Sequence, residues 1–190
     1  MAIDYTTLSL AEVRAGLDDV ARDTERTFGS LDPRQLNWRP DATRWSVAQC
    51  FSHLVTANRL MFRAAQEALD DTRPRTVWQR LPGLPGFWGR MLVRSQSPES
   101  ARKYTASPKA QPATSDVGAD IIATFIAQHR DATAMLQPLD EQRAAHAIMT
   151  SPFIGVITYS VLDGWRLIAA HERRHVQQAR RVMAMPDFPQ

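Results

Sequence analysis

Two histidines, His171 and His175, stand four residues apart in the run His-Glu-Arg-Arg-His, inside a long amphipathic stretch. On an α-helix, residues four apart lie about 40° apart around the axis and about 6 Å apart along it. That spacing allows two imidazoles to bind one metal ion. A third histidine, His53, lies in another amphipathic stretch far upstream. Three neutral imidazoles fill three coordination positions of a divalent ion and leave at least one for water or substrate.

Four amphipathic stretches must position these histidines, and no segment has the pattern of a strand. The predicted helices cover about 10–28, 47–70, 117–136 and 161–185. The first two begin with capping boxes, formed by Ser9 with Glu12 and by Ser46 with Gln49. The last two end before Pro138 and Pro186, because proline cannot continue a helix.

The connection between the second and third helices, 71–116, is long enough for a parallel crossover. We therefore predict an all-α fold, a four-helix bundle with one long crossover, in a single domain over 1–190. Between Asp71 and Asp116 the connection is strongly basic, with eight arginines and lysines against Glu99 alone. It has no aromatic-interleaved nucleic-acid motif, so a solvated linker is the favoured interpretation and nucleic acid is not an expected partner.

The positions of the three histidines along their helices permit a shared site. His53 lies about 10 Å from the start of the second helix, and His171 and His175 lie about 15 to 21 Å from the end of the fourth. Antiparallel packing would bring these depths within one or two turns. Each histidine lies at or near the edge of an apolar arc, where a groove between packed helices would form. His129 and His146 are predicted to be surface or loop residues.

The composition favours a soluble protein of the cytoplasm. Hydrophobic residues make up 44% of the chain and charged residues 23%, which is ordinary for a globular protein. No apolar run is long enough to cross a bilayer and no secretory signal is present, so we expect no membrane partner. Cys50 is the only cysteine, which excludes an internal disulfide and favours a reducing compartment. We interpret it as a small buried residue rather than a ligand.

The His-Glu-x-x-His pattern is also the signature of zinc proteases, in which the glutamate acts as a base on bound water. Those enzymes take a third ligand from downstream, and only 15 residues without a histidine follow His175. We therefore reject a protease. Glu172 lies near the middle of the apolar arc, where an unpaired carboxylate is costly. It is a candidate base, a partner that orients a ligand imidazole, or the partner of a buried arginine.

Several short motifs together resemble the DinB/YfiT-like superfamily over nearly the whole chain. Their anchors are Trp-Ser-x-x-Gln-x-x-x-His-Leu from Trp45 to Leu54 and His-x-x-x-His-x-x-Gln from His171 to Gln178. The resemblance implies a bundle in up-down-down-up order that is often a homodimer. It also implies that His53, His171 and His175 bind a divalent metal ion, zinc or nickel.

The resemblance also implies a class of activity. Relatives transfer groups from low-molecular-weight thiols to small-molecule electrophiles, so we expect a thiol-dependent S-transferase with a metal-activated thiolate as nucleophile. A metal-dependent hydrolase using metal-bound hydroxide is the enzymatic alternative. A non-catalytic metal-binding, stress-related interaction protein is the alternative from another class. A further hypothesis has the basic connection cover the site and grip a carboxylated thiol through Arg73, Arg75 and Arg90.

Overall fold

The protein is described by a computed structural model of residues 3–71, 74–100, 105–112 and 116–190. Helices and strands follow one another along the chain as α1 Leu10–Phe28, α2 Pro33–Asn37, α3 Val47–Leu69, α4 Val77–Arg80, α5 Leu84–Gln96, α6 Ile121–Leu136, α7 Glu141–His146, β1 Ile148–Thr150, β2 Thr158–Ser160 and α8 Val161–Met183. Short 3₁₀ turns occur at Tyr5–Thr7 and Pro108–Ala110. No helix in these ranges is long and apolar enough to span a membrane.

Both predicted capping boxes are present and set the first residue of their helices. The Ser9 hydroxyl accepts from the Glu12 amide at the start of α1, and the Glu12 carboxylate accepts from the Ser9 amide. Ser46 and Gln49 make the equivalent pair at the start of α3. Each cap stabilises its helix by about 1 kcal/mol.

The long helices α1, α3, α6 and α8 form the four-helix bundle, in which α3 packs against both α6 and α8. Phe51 contacts Phe125, and the side-chain amide of Gln128 donates to the Val55 carbonyl. Since both contacts advance together along the two helices, α3 and α6 run in the same direction. In contrast, Phe62 packs on Trp165 at the start of α8. The later part of α3 thus lies beside the start of α8, whereas His53, early in α3, contacts His175, further along α8, so these two helices are antiparallel.

Helix α1 packs against the other faces of α6 and α8. Arg166 donates to the carbonyl of Leu8, just before α1, whereas Arg180 donates to Asp23 near its end. Helix α1 is therefore parallel to α8, and the bundle has the predicted up-down-down-up order. The long connection from α3 to α6 is the crossover that this order requires.

The apolar core consists of two clusters, one toward each end of the bundle. One contains Met61, Trp165 and Ile168, and the other contains Phe51 and Val176. Between them, the part of α8 that carries the two histidines and Glu172 belongs to neither cluster. This polar layer, flanked by apolar side chains above and below, contains the candidate site.

Three predictions need correction. The connection at 71–116, interpreted as a solvated linker, contains the 13-residue helix α5, which packs against α8. Strands β1 and β2 form an antiparallel pair, with Met149 opposite Tyr159, where no strand was predicted. Three residues are too few for a period-two pattern to stand out in the sequence. Helix α6 begins at Ile121 rather than near Val117, because the Asn37 side chain bonds both the N–H and the C=O of Val117.

Candidate metal centre

The structure brings His53, His171 and His175 together in the polar layer. One ligand nitrogen from each ring lies within 4.8 Å of the other two. The Nε2 atoms of His53 and His171 are 3.2 Å apart. The His175 ring centroid lies 4.7 Å from that of His53 and 4.6 Å from that of His171. Antiparallel packing of α3 and α8 therefore produces the convergence that the sequence permitted.

The spacing of these nitrogens suits a divalent metal ion. Two nitrogens bound tetrahedrally to zinc at about 2.05 Å lie about 3.3 Å from each other. The separation of the His53 and His171 Nε2 atoms is close to that value. Within the described residues, no aspartate or glutamate oxygen joins the group, so the donor set is all imidazole. Imidazole donors suit zinc, nickel and copper.

Electrostatics keep the three rings neutral, which is the form that binds metal. Burial lowers the pKa of His53, although its hydrogen bond to Ala110 partly opposes this. Burial is the main reason why the pKa of His171 lies well below its usual value. Electrostatic repulsion from His175 and His53 lowers it further. Burial and the proximity of His53 lower the pKa of His175 to about 3. At neutral pH all three rings therefore offer lone pairs.

Two further features match a metal site. The Nδ1 atom of His175 is buried and has no hydrogen-bond partner among the described residues. The Nδ1 atom of His53, in contrast, lies in hydrogen-bond contact with the carbonyl oxygen of Ala110. Because a carbonyl can only accept, that contact places the proton of the neutral His53 ring on Nδ1 and leaves Nε2 as the donor to a metal.

The site lies close to the protein surface. His171 and His175 are half-buried, and so is Trp45, which lies just before the N-cap of α3. The Trp45 ring stacks on His175 with centroids 5.7 Å apart and lies 5.1 Å from the His53 ring. The Trp45 ring therefore lies next to the position that a metal ion and its substrate would occupy.

Glu172 belongs to a second polar group in the same layer, and the sequence did not anticipate its partners. Its carboxylate accepts from Asn58 Nδ2 at 2.8 Å and lies 3.1 Å from His129 Nε2. The prediction that His129 lies on the surface or in a loop is wrong, since it is a buried residue of α6. The signal for its burial was available, because Ile122, Phe125 and His129 share one face of the helix.

These contacts bear on one of the alternatives for Glu172, its pairing with a buried arginine. His129 and Asn58 occupy the carboxylate, where a buried arginine had been one expectation. Its role as a base or as a residue that orients a ligand imidazole stays a prediction. Cys50 is fully buried in the neighbouring apolar cluster, and burial raises the pKa of its thiol to about 12. His146 is exposed at the end of α7.

In the described part of the basic connection, the Ala110 carbonyl contacts the site. Arg73 lies outside the described residues, and Arg75 and Arg90 are exposed. Arg90 lines a separate cavity of about 290 Å³ beside Asp163. Asp163 precedes His171 by eight residues, or about 12 Å along α8. The proposed grip on a carboxylated thiol by these arginines therefore has no support from their positions.

A four-helix bundle with one long crossover and three inward histidines defines a class of metal-binding bundle. The chain belongs to the DinB superfamily, whose family model matches residues 16–179. It also resembles a solved structure, YfiT from Bacillus subtilis, with a TM-score of 0.59 and 14% identity over 92% of this chain and 85% of that chain. YfiT is described as a probable metal-dependent hydrolase with an unusual four-helix bundle topology. No curated protein matches the chain.

Proposed function

We propose that this protein is a metal-dependent enzyme in which His53, His171 and His175 bind one divalent ion, zinc or nickel. The observation that carries the proposal is the convergence of three neutral imidazole rings from two helices within 4.8 Å, without a carboxylate among them. The half-buried edges of His171 and His175 leave a side for a ligand to approach.

We further propose thiol-dependent group transfer to a small electrophile as the reaction. A divalent ion held by His53, His171 and His175 would lower the pKa of a bound thiol or water and so supply a nucleophile near neutral pH. Ordinary thiols ionise near pH 8.5, whereas water has a pKa of about 15.7. Since His129 and Asn58 occupy the Glu172 carboxylate, the site lacks an uncommitted base among its described residues. A thiol needs less help than water in such a site.

The protein's own residues would hold and shield the reacting groups. The imidazoles of α3 and α8 would hold the ion between two helices that pack against each other. The Trp45 ring offers an apolar surface next to the ligands, against which the carbon skeleton of an electrophile can pack. These features support a small organic substrate and a low-molecular-weight thiol as partners.

The test measures turnover of a chromogenic electrophile, 1-chloro-2,4-dinitrobenzene, with glutathione, by protein loaded with zinc or nickel. We expect turnover to require both metal and thiol, and to be lost in His53→Ala. His146→Ala is the matched control, because it removes an exposed histidine that lies outside the cluster. Equal rates from the two variants would count against the proposal.

Hydrolysis is the second candidate, and the similarity to YfiT favours it. The same metal-loaded protein would then cleave 4-nitrophenyl acetate without any thiol, and the rate would again depend on His53. Turnover of the ester in the absence of thiol, with no thiol-dependent transfer, would select hydrolysis over transfer.

A further inference from the structure

We propose that the turn Pro108–Ala110 is a positioning element of the metal site, so that metal binding and docking of this turn stabilise each other. This inference rests on the proposed metal-binding function and extends it to the connection between α3 and α6. The contact that carries it joins the Ala110 carbonyl oxygen to His53 Nδ1.

Two interactions hold the turn against the bundle, and a third closes the turn itself. Ala110 is 1% exposed, so its methyl group is buried against α3 and its neighbours. The Ala110 amide donates to the Ser107 carbonyl at 2.8 Å, which closes the turn. The Lys109 ammonium donates to the Pro152 carbonyl at 2.8 Å, which ties the turn to the loop that follows β1. The carbonyl of Ala110 therefore faces His53 because its own residue is buried, not because of a chance approach.

The carbonyl selects which nitrogen of His53 carries the proton. A neutral imidazole has one N–H, and a carbonyl oxygen accepts only from that N–H. With the proton on Nδ1, the lone pair of Nε2 points toward His171, whose Nε2 is 3.2 Å away. Without this acceptor the ring loses its bias and its fixed orientation. Partners of this kind typically change metal affinity by about 10- to 100-fold.

Coupling of this kind acts in both directions. If docking of the turn strengthens metal binding, then metal binding must strengthen docking of the turn by the same factor. The connection is thus predicted to respond to the metal although no side chain of the turn is a ligand. Occupancy of the site would then decide how firmly the turn Pro108–Ala110 is held against the bundle.

The first experiment displaces the turn. Ala110→Leu adds volume at a buried position, whereas Ala106→Leu adds the same volume at a half-buried position in the same segment. We expect zinc affinity, measured by competition with a chromogenic chelator, to fall about 10- to 100-fold in Ala110→Leu and to change less than threefold in Ala106→Leu. Nitrogen-detected NMR of the metal-free protein should show His53 as the Nδ1–H tautomer in the wild type and a mixture in Ala110→Leu.

The second experiment needs no change in the turn. Hydrogen exchange at the Ala110 amide should slow by about tenfold or more when zinc is added to the wild-type protein. The same addition should leave this amide unchanged in His53→Ala. This measurement decides the matter even where Ala110→Leu fails to fold.

The outcomes separate the two proposals. Failure of the wild-type protein to bind zinc or nickel would overturn the proposed function and this inference with it. Zinc binding with unchanged exchange at Ala110 and an Nε2–H tautomer at His53 would overturn the inference alone.

Discussion

Two groups of polar residues occupy the same layer of the bundle, and they shift the pKa of histidine in opposite directions. In one, His53, His171 and His175 face one another without a carboxylate among the described residues. In the other, His129 pairs with the Glu172 carboxylate, which Asn58 also bonds. Glu172 directly follows His171, so about 100° of rotation around α8 separates the two environments.

The contrast shows what distinguishes a structural histidine from a candidate ligand. Burial disfavours the charge on His129, but the ion pair and hydrogen bond to Glu172 outweigh it, so the pKa of His129 is raised. The pKa values of the three clustered histidines are all lowered, because burial acts on them without a carboxylate to offset it. One group therefore pairs histidine with a carboxylate, whereas the other brings together three neutral rings without a carboxylate among the described residues.

The largest expected effect removes a ligand. His171→Ala should reduce zinc affinity by more than about 100-fold, since loss of a ligand exceeds the cost of losing an outer partner. Metal content after dialysis, measured by elemental analysis, checks this directly. His129→Ala should retain its metal, because that ring belongs to the other group. Loss of metal from both variants alike would erase the proposed distinction between the two groups.

The second prediction breaks the other group. Glu172→Leu leaves His129 and Asn58 without their acceptor and should lower the free energy of unfolding by about 3–5 kcal/mol. Urea denaturation of the metal-free protein measures it. Glu67→Leu is the control, since removing the partly exposed carboxylate paired with Arg63 should cost about 1 kcal/mol or less. Metal affinity should change far less in Glu172→Leu than in His171→Ala, and a similar loss would make Glu172 a part of the metal site.

The third prediction uses pH, because the two groups should respond with opposite signs. The clustered histidines have lowered pKa values, so the unfolded chain binds protons first. Their contribution to stability is present above about pH 6.5 and is lost as pH falls, by up to about 1.4 kcal/mol per pH unit for each ring. The raised pKa of His129 gives a contribution that is present below about pH 6.5 and is lost as pH rises through its folded value.

Variants assign these two slopes to their sources. In metal-free protein, His175→Ala should reduce the loss of stability between pH 7 and pH 5. His129→Leu should instead remove the loss on the alkaline side. Urea denaturation at a series of pH values measures both, and slopes unchanged in both variants would refute the assignment.

How far the sequence predicted each group follows from the range of its interactions. Helices α1 and α3 were predicted to within a residue, because long periodic stretches and caps are local signals. The four-residue spacing of His171 and His175 on one helix predicts that they can share a metal ion. Asn58 and His129 give no such signal, since their meeting with Glu172 depends on three helices packing together. The contact of Ala110 with His53 depends on the path of an irregular connection, which no periodicity encodes.

The smallest expected effect concerns Trp45. Its ring packs against His53 and His175, which belong to the histidine cluster, and not against the His129–Glu172 pair. Because Trp45 packs against two of these rings and is not itself a ligand, Trp45→Leu should alter zinc affinity by less than about tenfold. Its proximity should make it the main reporter of a bound quenching ion. Nickel should therefore quench tryptophan fluorescence in the wild type and much less in Trp45→Leu. Trp78→Leu, at a position 43% exposed on α4, should leave the quenching nearly intact. Quenching that survives in Trp45→Leu but disappears in Trp78→Leu would place the ion elsewhere, away from the clustered histidines.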